Sequence, residues 1–364
     1  MELGEYEAAG LYDPTAPDAG DRADLIEYLV GLGCTVEEMV AANARGRLFA
    51  LGGDRIIVPD RDQFSLAQVS EETRGAIDDV RAIWRSLGFV DVADDVPVAS
   101  AEDLETIRTV LNLAALVGMP AALGVGRVVA SSMARIADAT SAAVRTRAPE
   151  LALGHSGSEA VTARTFTSVA SAVPRVGRAL DAVFRHHLEA ARRHWERSDS
   201  ADLVDSGAIR IGVGFADLSG FTGMTENLTM AELSELLTVF EVVAEGIVRE
   251  EDGRVVKYIG DAVMYVTHDA SSAVRVAQRL LGAAEMRGMQ ARAGVTVGVA
   301  LALEGDFFGP VVNLAARLVA MAGPGEVLVT DEVIARLEDK VEAVPLGPRA
   351  VRGFTNEIEV ARLR

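Results

Sequence analysis

The chain has 364 residues, enough for two ordinary domains that each bury a core of their own. Its net charge of −19 repels nucleic acid and anionic membranes, which argues against non-specific attraction to either. Aromatics make up only 5% of the chain, so the interior must be built mainly from Ala, Val and Leu, and the single cysteine, Cys34, excludes an internal disulfide and reads as a buried thiol in a reducing compartment.

Residues 1–20 are rich in Gly, Pro, Ala and Asp and are expected to form a mobile tail. The acidic start MELGEYEAAG lacks the basic-then-apolar order of a signal peptide, so a cytoplasmic location is expected. From 21 to 172 the apolar residues recur at helical spacing, which predicts an all-α domain. Thr35 with Glu38 and Ser100 with Asp103 mark helix starts, because a hydroxyl at the N-cap and a carboxylate three residues on satisfy each other's backbone donors. Arg55 to Pro59 reads as a short β-like interruption. The uncharged stretch from Thr109 to Gly126 is broken by Asn112, Gly118, Pro120 and Gly124, so two buried helices are expected there and no membrane span. Leu111 to Val129 offers either plain core packing or an apolar pocket for a lipid-like effector.

Residues 173–207 predict a helical linker, with Leu180, Phe184, Leu188 and Trp195 on one face and arginines opposite. Three of the five histidines, His186, His187 and His194, lie here beside those arginines, which favour the neutral imidazole. From 208 to 364 strands and helices alternate. A strand runs from Ile209 to Asp217, Thr229 and Glu232 cap a long helix, and RVVKYIGDAVMYV reads as a hairpin with Asp261 at its tip. A further helix, a strand through Val295 to Val299 and the loop EGDFFGP before a last helix complete an α+β arrangement with helices on one face of a sheet.

Asp217 at a strand end and Asp261 at a hairpin tip bring carboxylates from separate elements to one sheet edge. Taken singly each reads rather as a turn residue; as a pair they suit Mg²⁺ or Mn²⁺, which take oxygen ligands and leave room for substrate phosphates. Lys257 stands four residues before Asp261 on what reads as the same strand face, and it is one of only two lysines, with Lys340, in a chain whose other cations are arginines. Such a lysine is expected to donate to something specific. Asn313 and Arg317 in NLAAR share a helix face, with Asp306 just ahead of that helix.

Taken together and in order, FADLSGFT, KYIGDAVM, ARAGVTVG, GDFFGPVVNLAARL and GPGEVLVT resemble the catalytic domain of the class III nucleotidyl cyclases along residues 209–364, with its ferredoxin-like fold. The resemblance implies an adenylyl cyclase that turns ATP into cyclic AMP and pyrophosphate with two divalent cations, Mg²⁺ or Mn²⁺. It makes Asp217 and Asp261 metal ligands, and Lys257 and Asp306 the pair that reads adenine. Asn313 and Arg317 become the ribose-orienting and transition-state residues, and Arg292 and Arg352 phosphate contacts. It also implies a head-to-tail homodimer whose sites draw residues from both chains. The first half resembles, by layout, the regulatory module of actinobacterial adenylyl cyclases that include pH-responsive members, so a proton or lipid-like effector and autoinhibition are expected of it. The competing expectation is a catalytically inactive, nucleotide-sensing transcription regulator, with TVEEMVAANARGRL as part of a helix-turn-helix; the net charge weighs against it.

Overall fold

The computed structural model describes residues 3–58, 63–148, 151, 157–197, 207–221, 223, 228–338 and 341–363, and the chain divides into two compact units, Met1–Arg185 and His186–Arg364.

The first unit is helical. It comprises α1 (Gly4–Ala8), α2 (Ala19–Gly31), α3 (Val36–Ala44), α4 (Leu51–Ile57), α5 (Leu66–Thr73), α6 (Ile77–Ser86), α7 (Ala101–Val117), α8 (Met119–Arg147) and α9 (Glu159–Ala170), with β1 (Phe64–Ser65) and β2 (Pro97–Ala99) as one small antiparallel ribbon. Both capping boxes form, at Thr35/Glu38 and Ser100/Asp103, and a third at Ser65/Gln68 opens α5. One core gathers Leu25, Ile26, Leu29, Met39 and Cys34 with Ala160 and Ala163 of α9; a second gathers Leu66, Val69, Ile83, Trp84 and Ile107. Burial pushes the Cys34 thiol up, as for an inert core residue.

Three expectations change here. The segment taken for a mobile tail is held by α1, because Tyr6 and Leu11 are buried in the first core. Arg55 to Ile57 belong to helix α4 rather than to a β-like stretch. The uncharged stretch does form two helices, parted at Gly118 with Pro120 in the first turn of α8, where a missing N–H costs nothing. They are not uniformly buried, since Leu116 is 83% exposed and Val125 51%. Among the described residues no helix is long and apolar enough to cross a membrane.

Helix α10 (Val173–Arg197) carries the predicted linker segment, and its apolar positions Val176, Val183, Phe184 and Leu188 are exposed. His186 and His187 are exposed on it too; the side chains of His194 and Trp195, and residues 198–206, lie outside the described residues.

The second unit is built on a sheet in the order β4-β5-β3-β6-β8-β10-β9, with β7 paired to β6. Its strands are β3 (Ala208–Leu218), β4 (Arg254–Ile259), β5 (Ala262–Thr267), β6 (Ala291–Leu303), β7 (Asp306–Phe308), β8 (Val327–Thr330), β9 (Ala343–Arg349) and β10 (Ile358–Leu363). Only β6 and β8 run parallel. The helices are α11 (Met230–Glu250), opened by the Thr229/Glu232 capping box, α12 (Ala270–Glu285), α13 (Pro310–Met321) and the short α14 (Asp331–Ile334).

Side-chain alternation along β3 divides the unit into two layers. Ile209, Ile211, Val213 and Phe215 meet Val311, Ala315 and Val319 of α13, whereas Ala216 and Leu218 join Phe240, Ala244 and Ala277 of α11 and α12. Helices therefore cover both faces, not one as the sequence pattern suggested. The reason lies at Gly294 of β6, where a Cβ would stand 2.4 Å from the Val319 nitrogen and 2.6 Å from the Ala315 oxygen. Without it, α13 seats its backbone directly on the strand.

Candidate active site

Strand register fixes the first cluster. Asp217, near the end of β3, is the cross-strand partner of Arg292 on β6 and of Ala262 on β5, the residue after the turn Gly260-Asp261. The Leu218 amide donates to the Asp261 carbonyl at 3.3 Å, tying the hairpin tip to the end of β3. Arg292 donates from Nε at 2.9 Å and Nη2 at 2.6 Å, both to Oδ2 of Asp217, and its Nη1 reaches the Ala322 carbonyl at 3.5 Å. Burial first, and then the neighbouring Asp217 carboxylate, push the Asp261 carboxyl above the usual carboxylate range, and Arg292 offsets part of that.

Two crowded carboxylates, one resisting ionisation, are a donor set that a hard divalent cation relieves. Among the described residues no third His, Cys, Asp or Glu joins them in a metal-holding group, so further ligands would be backbone carbonyl, water or substrate oxygens.

The second cluster joins β4 to the start of β7. Lys257 Nζ donates to Asp306 Oδ2, and Asp306 Oδ1 accepts from the Phe307 amide at 2.8 Å. The expectation that Lys257 and Asp261 share a strand face fails, because β4 ends at Ile259 and Asp261 sits in the turn, where strand alternation no longer holds. Lys257 faces Asp306 and Asp261 faces Asp217. The two residues serve separate clusters.

Asn313 and Arg317 project from the outer face of α13, exposed and without a side-chain partner among the described residues. Arg352 is exposed in a turn between β9 and β10, closed by the Phe354 amide on the Val351 carbonyl at 3.0 Å, with Gly353 at φ +94° where that turn needs a left-handed residue. Neither α13 residue nor Arg352 makes a polar side-chain contact with the two clusters. A cleft of 440 Å³ between β6, the start of α13, β8 and β10 is lined by Thr296, Val311, Leu314 and Phe354 and by none of these site residues. Missed from the sequence was Arg254, which touches both flanks of Asp306. Its signal was its place three residues before Lys257 on the same strand.

A carboxylate pair with an arginine beside it, a lysine–aspartate pair and an Asn/Arg helix face, carried on a sheet covered by helices on both sides, define a nucleotidyl cyclase catalytic domain. Residues 206–361 match the family model of the adenylate and guanylate cyclase catalytic domain, and residues 5–192 match that of the adenylate cyclase regulatory domain. The chain belongs to the adenylate and guanylate cyclase family. It is 41% identical to an uncharacterized protein of Mycobacterium tuberculosis over 97% of this chain and 92% of the relative. It is 31% identical to an adenylate cyclase of Streptomyces coelicolor, covering 88% of this chain and 78% of the relative. A pH-sensitive adenylate cyclase of Mycobacterium tuberculosis is 30% identical, over 94% of this chain and 88% of the relative. The inactive-regulator reading loses its ground, because the regulatory family match spans the proposed helix-turn-helix and Met39 and Ala42 of that segment are buried in the core.

Proposed function

We propose that the chain cyclises ATP to 3′,5′-cyclic AMP and pyrophosphate at sites shared between two copies. The observation that carries this is the Lys257–Asp306 pair, which sets a donor beside an acceptor on neighbouring elements. Adenine offers a ring nitrogen that accepts and an exocyclic amine that donates, whereas guanine carries a carbonyl where the amine would be, and a carboxylate repels it. Asp217 and Asp261 would hold two divalent cations, Mg²⁺ or Mn²⁺, which supply acidification of the attacking hydroxyl and neutralisation of the triphosphate. The ribose 3′-oxygen forms a bond to the α-phosphorus, the bond from that phosphorus to the β-phosphate bridge breaks, and the hydroxyl proton passes to solvent. Asn313 orients the ribose, Arg317 neutralises charge developing on the α-phosphoryl oxygens, and Arg292 and Arg352 bind the phosphates.

The shared site is supported by the exposed Asn313 and Arg317, which among the described residues have no side-chain partner and meet neither cluster, and by the exposed apolar positions on α10. The first unit regulates the second, and His186, His187 and His194 make that regulation respond to mildly acidic pH.

The test is cyclic AMP formation from ATP with Mn²⁺ or Mg²⁺ by the whole chain, with Asp261→Ala as control. Metal-dependent product that disappears in the control supports the reading; no product under any condition overturns it. Replacing the three histidines by Asn and finding an unchanged pH–activity profile removes the proton-sensing part alone.

A further inference from the structure

We infer that Arg254 is a positioning residue that sets the spacing of the base-reading pair and thereby the preference for adenine over guanine; this rests on the function proposed above.

Strands β6 and β7 are joined by Glu304 and Gly305, both left-handed at φ +52° and +78°, between the paired residues Leu303 and Asp306. Two consecutive left-handed residues make a tight hairpin turn whose twist matches its strands, but a glutamate there is strained relative to glycine or asparagine. Asp306 thus sits at the mouth of a short, strained hairpin rather than in the body of the sheet.

Arg254 holds that hairpin from outside. It opens β4, three residues before Lys257, and its Nη2 donates to the Gly305 carbonyl at 3.2 Å. Its guanidinium carbon stands 5.2 Å from the centroid of the Phe307 ring, within cation–π range, and Phe307 is itself anchored in the core. Gly305 and Phe307 are the two neighbours of Asp306. One side chain therefore grips the residue before the acceptor and the residue after it, from the strand that carries the donor.

Recognition of a base edge by one donor and one acceptor depends on their separation, because a displacement of a few tenths of an ångström bends or lengthens one of the two hydrogen bonds. Lys257 and Asp306 attract each other in the absence of nucleotide, but that contact must open when a base takes its place. Arg254 then remains as the tie between β4 and the hairpin. Its role is in binding and discrimination, not in the bond-forming step.

The experiment uses the full chain with Mn²⁺ and measures kcat and KM for ATP and for GTP. Arg254 is exposed, so Arg254→Met leaves no buried void and removes the donor and charge while keeping the stem. The expected result is a KM for ATP raised about 3- to 10-fold with kcat changed less than about 2-fold, a kcat/KM ratio of ATP to GTP reduced by a similar factor, and partial recovery in Arg254→Lys. A fall in kcat alone, or an unchanged ATP-to-GTP ratio, overturns the inference. Lys257→Met serves as the benchmark: if it too leaves the ratio unchanged, the reading of the pair itself fails, and if it collapses the ratio while Arg254→Met does not, only the positioning role fails.

Discussion

Asp217 and Arg292 are direct cross-strand partners, and both of the guanidinium nitrogens that reach across, at 2.9 and 2.6 Å, converge on the single oxygen Oδ2. Without metal, the carboxylate pair thus keeps a cation of its own. Arg292→Gln is expected to tighten Mn²⁺ binding to the nucleotide-free protein by about 3- to 10-fold, because a unit positive charge a few ångströms from the metal position is removed. The same variant is expected to lose at least about tenfold in kcat, since the proposed phosphate contact goes with it. Electron paramagnetic resonance of free Mn²⁺ reads the first effect; weaker binding would show that Arg292 orients Asp217 for the metal instead of neutralising it.

Asp306→Asn keeps the size of the acceptor but offers an amide that can also donate. The expected outcome is a preference for ATP over GTP reduced by about tenfold in kcat/KM, with GTP turnover rising in absolute terms. Parallel assays of cyclic AMP and cyclic GMP check it.

Two dead variants should restore each other if sites are shared. A chain with Asp261→Ala lacks one of the two clustered carboxylates, and one with Arg317→Ala lacks the helix-face cation. Mixed in equal amounts, half of the dimers are hybrid and each hybrid retains one intact site, so about a quarter of wild-type activity is expected from random exchange. Activity that stays at the level of the single variants would place every functional group in one chain.

Glu251, at the end of α11, accepts from Arg275 at 2.7 Å and from Arg279 at 2.9 Å, linking α11 to α12. Burial alone would raise its pKa, but these two hydrogen bonds outweigh it and hold the carboxyl below its ordinary value of 4.5. A depressed folded-state pKa contributes stability that is present above the unfolded value and fades as pH falls through the folded one. Glu251→Gln is therefore expected to destabilise the catalytic unit by about 1–2 kcal/mol at neutral pH, a figure discounted for the exposure of both arginines. The gap in thermal unfolding between variant and parent should narrow when the pH drops below about 4.

Much of this was legible in the sequence. The capping boxes at Thr35, Ser100 and Thr229 set helix starts through contacts within four residues, which a linear pattern records. The Lys257–Asp306 contact, the nearness of Asp217 to Asp261 and the shared exposed face of Asn313 and Arg317 agree with the grouping expected from short motifs of distinctive residue types. What the sequence concealed depends on tertiary placement. The burial of Tyr6 and Leu11 requires the rest of the first core, and an acidic, glycine-containing segment gives no local sign of it. The second helical layer follows from the bare backbone at Gly294, which reads in sequence as one more small residue in a strand. The strand ends at Ile259, so Asp261 lies in the turn and the alternation that would have put it on the face of Lys257 no longer applies.

Gly294 has a mechanical meaning as well. At Gly294 backbone meets backbone, so at that point no side chain stands between the helix that presents Asn313 and Arg317 and the strand that presents Arg292, whose guanidinium also touches the carbonyl at the helix end. A displacement of the helix there bears directly on the strand that carries the partner of Asp217. Under the proposed sharing of sites between two copies, such a seat leaves the alignment of the copies, rather than the pocket itself, as the thing to adjust.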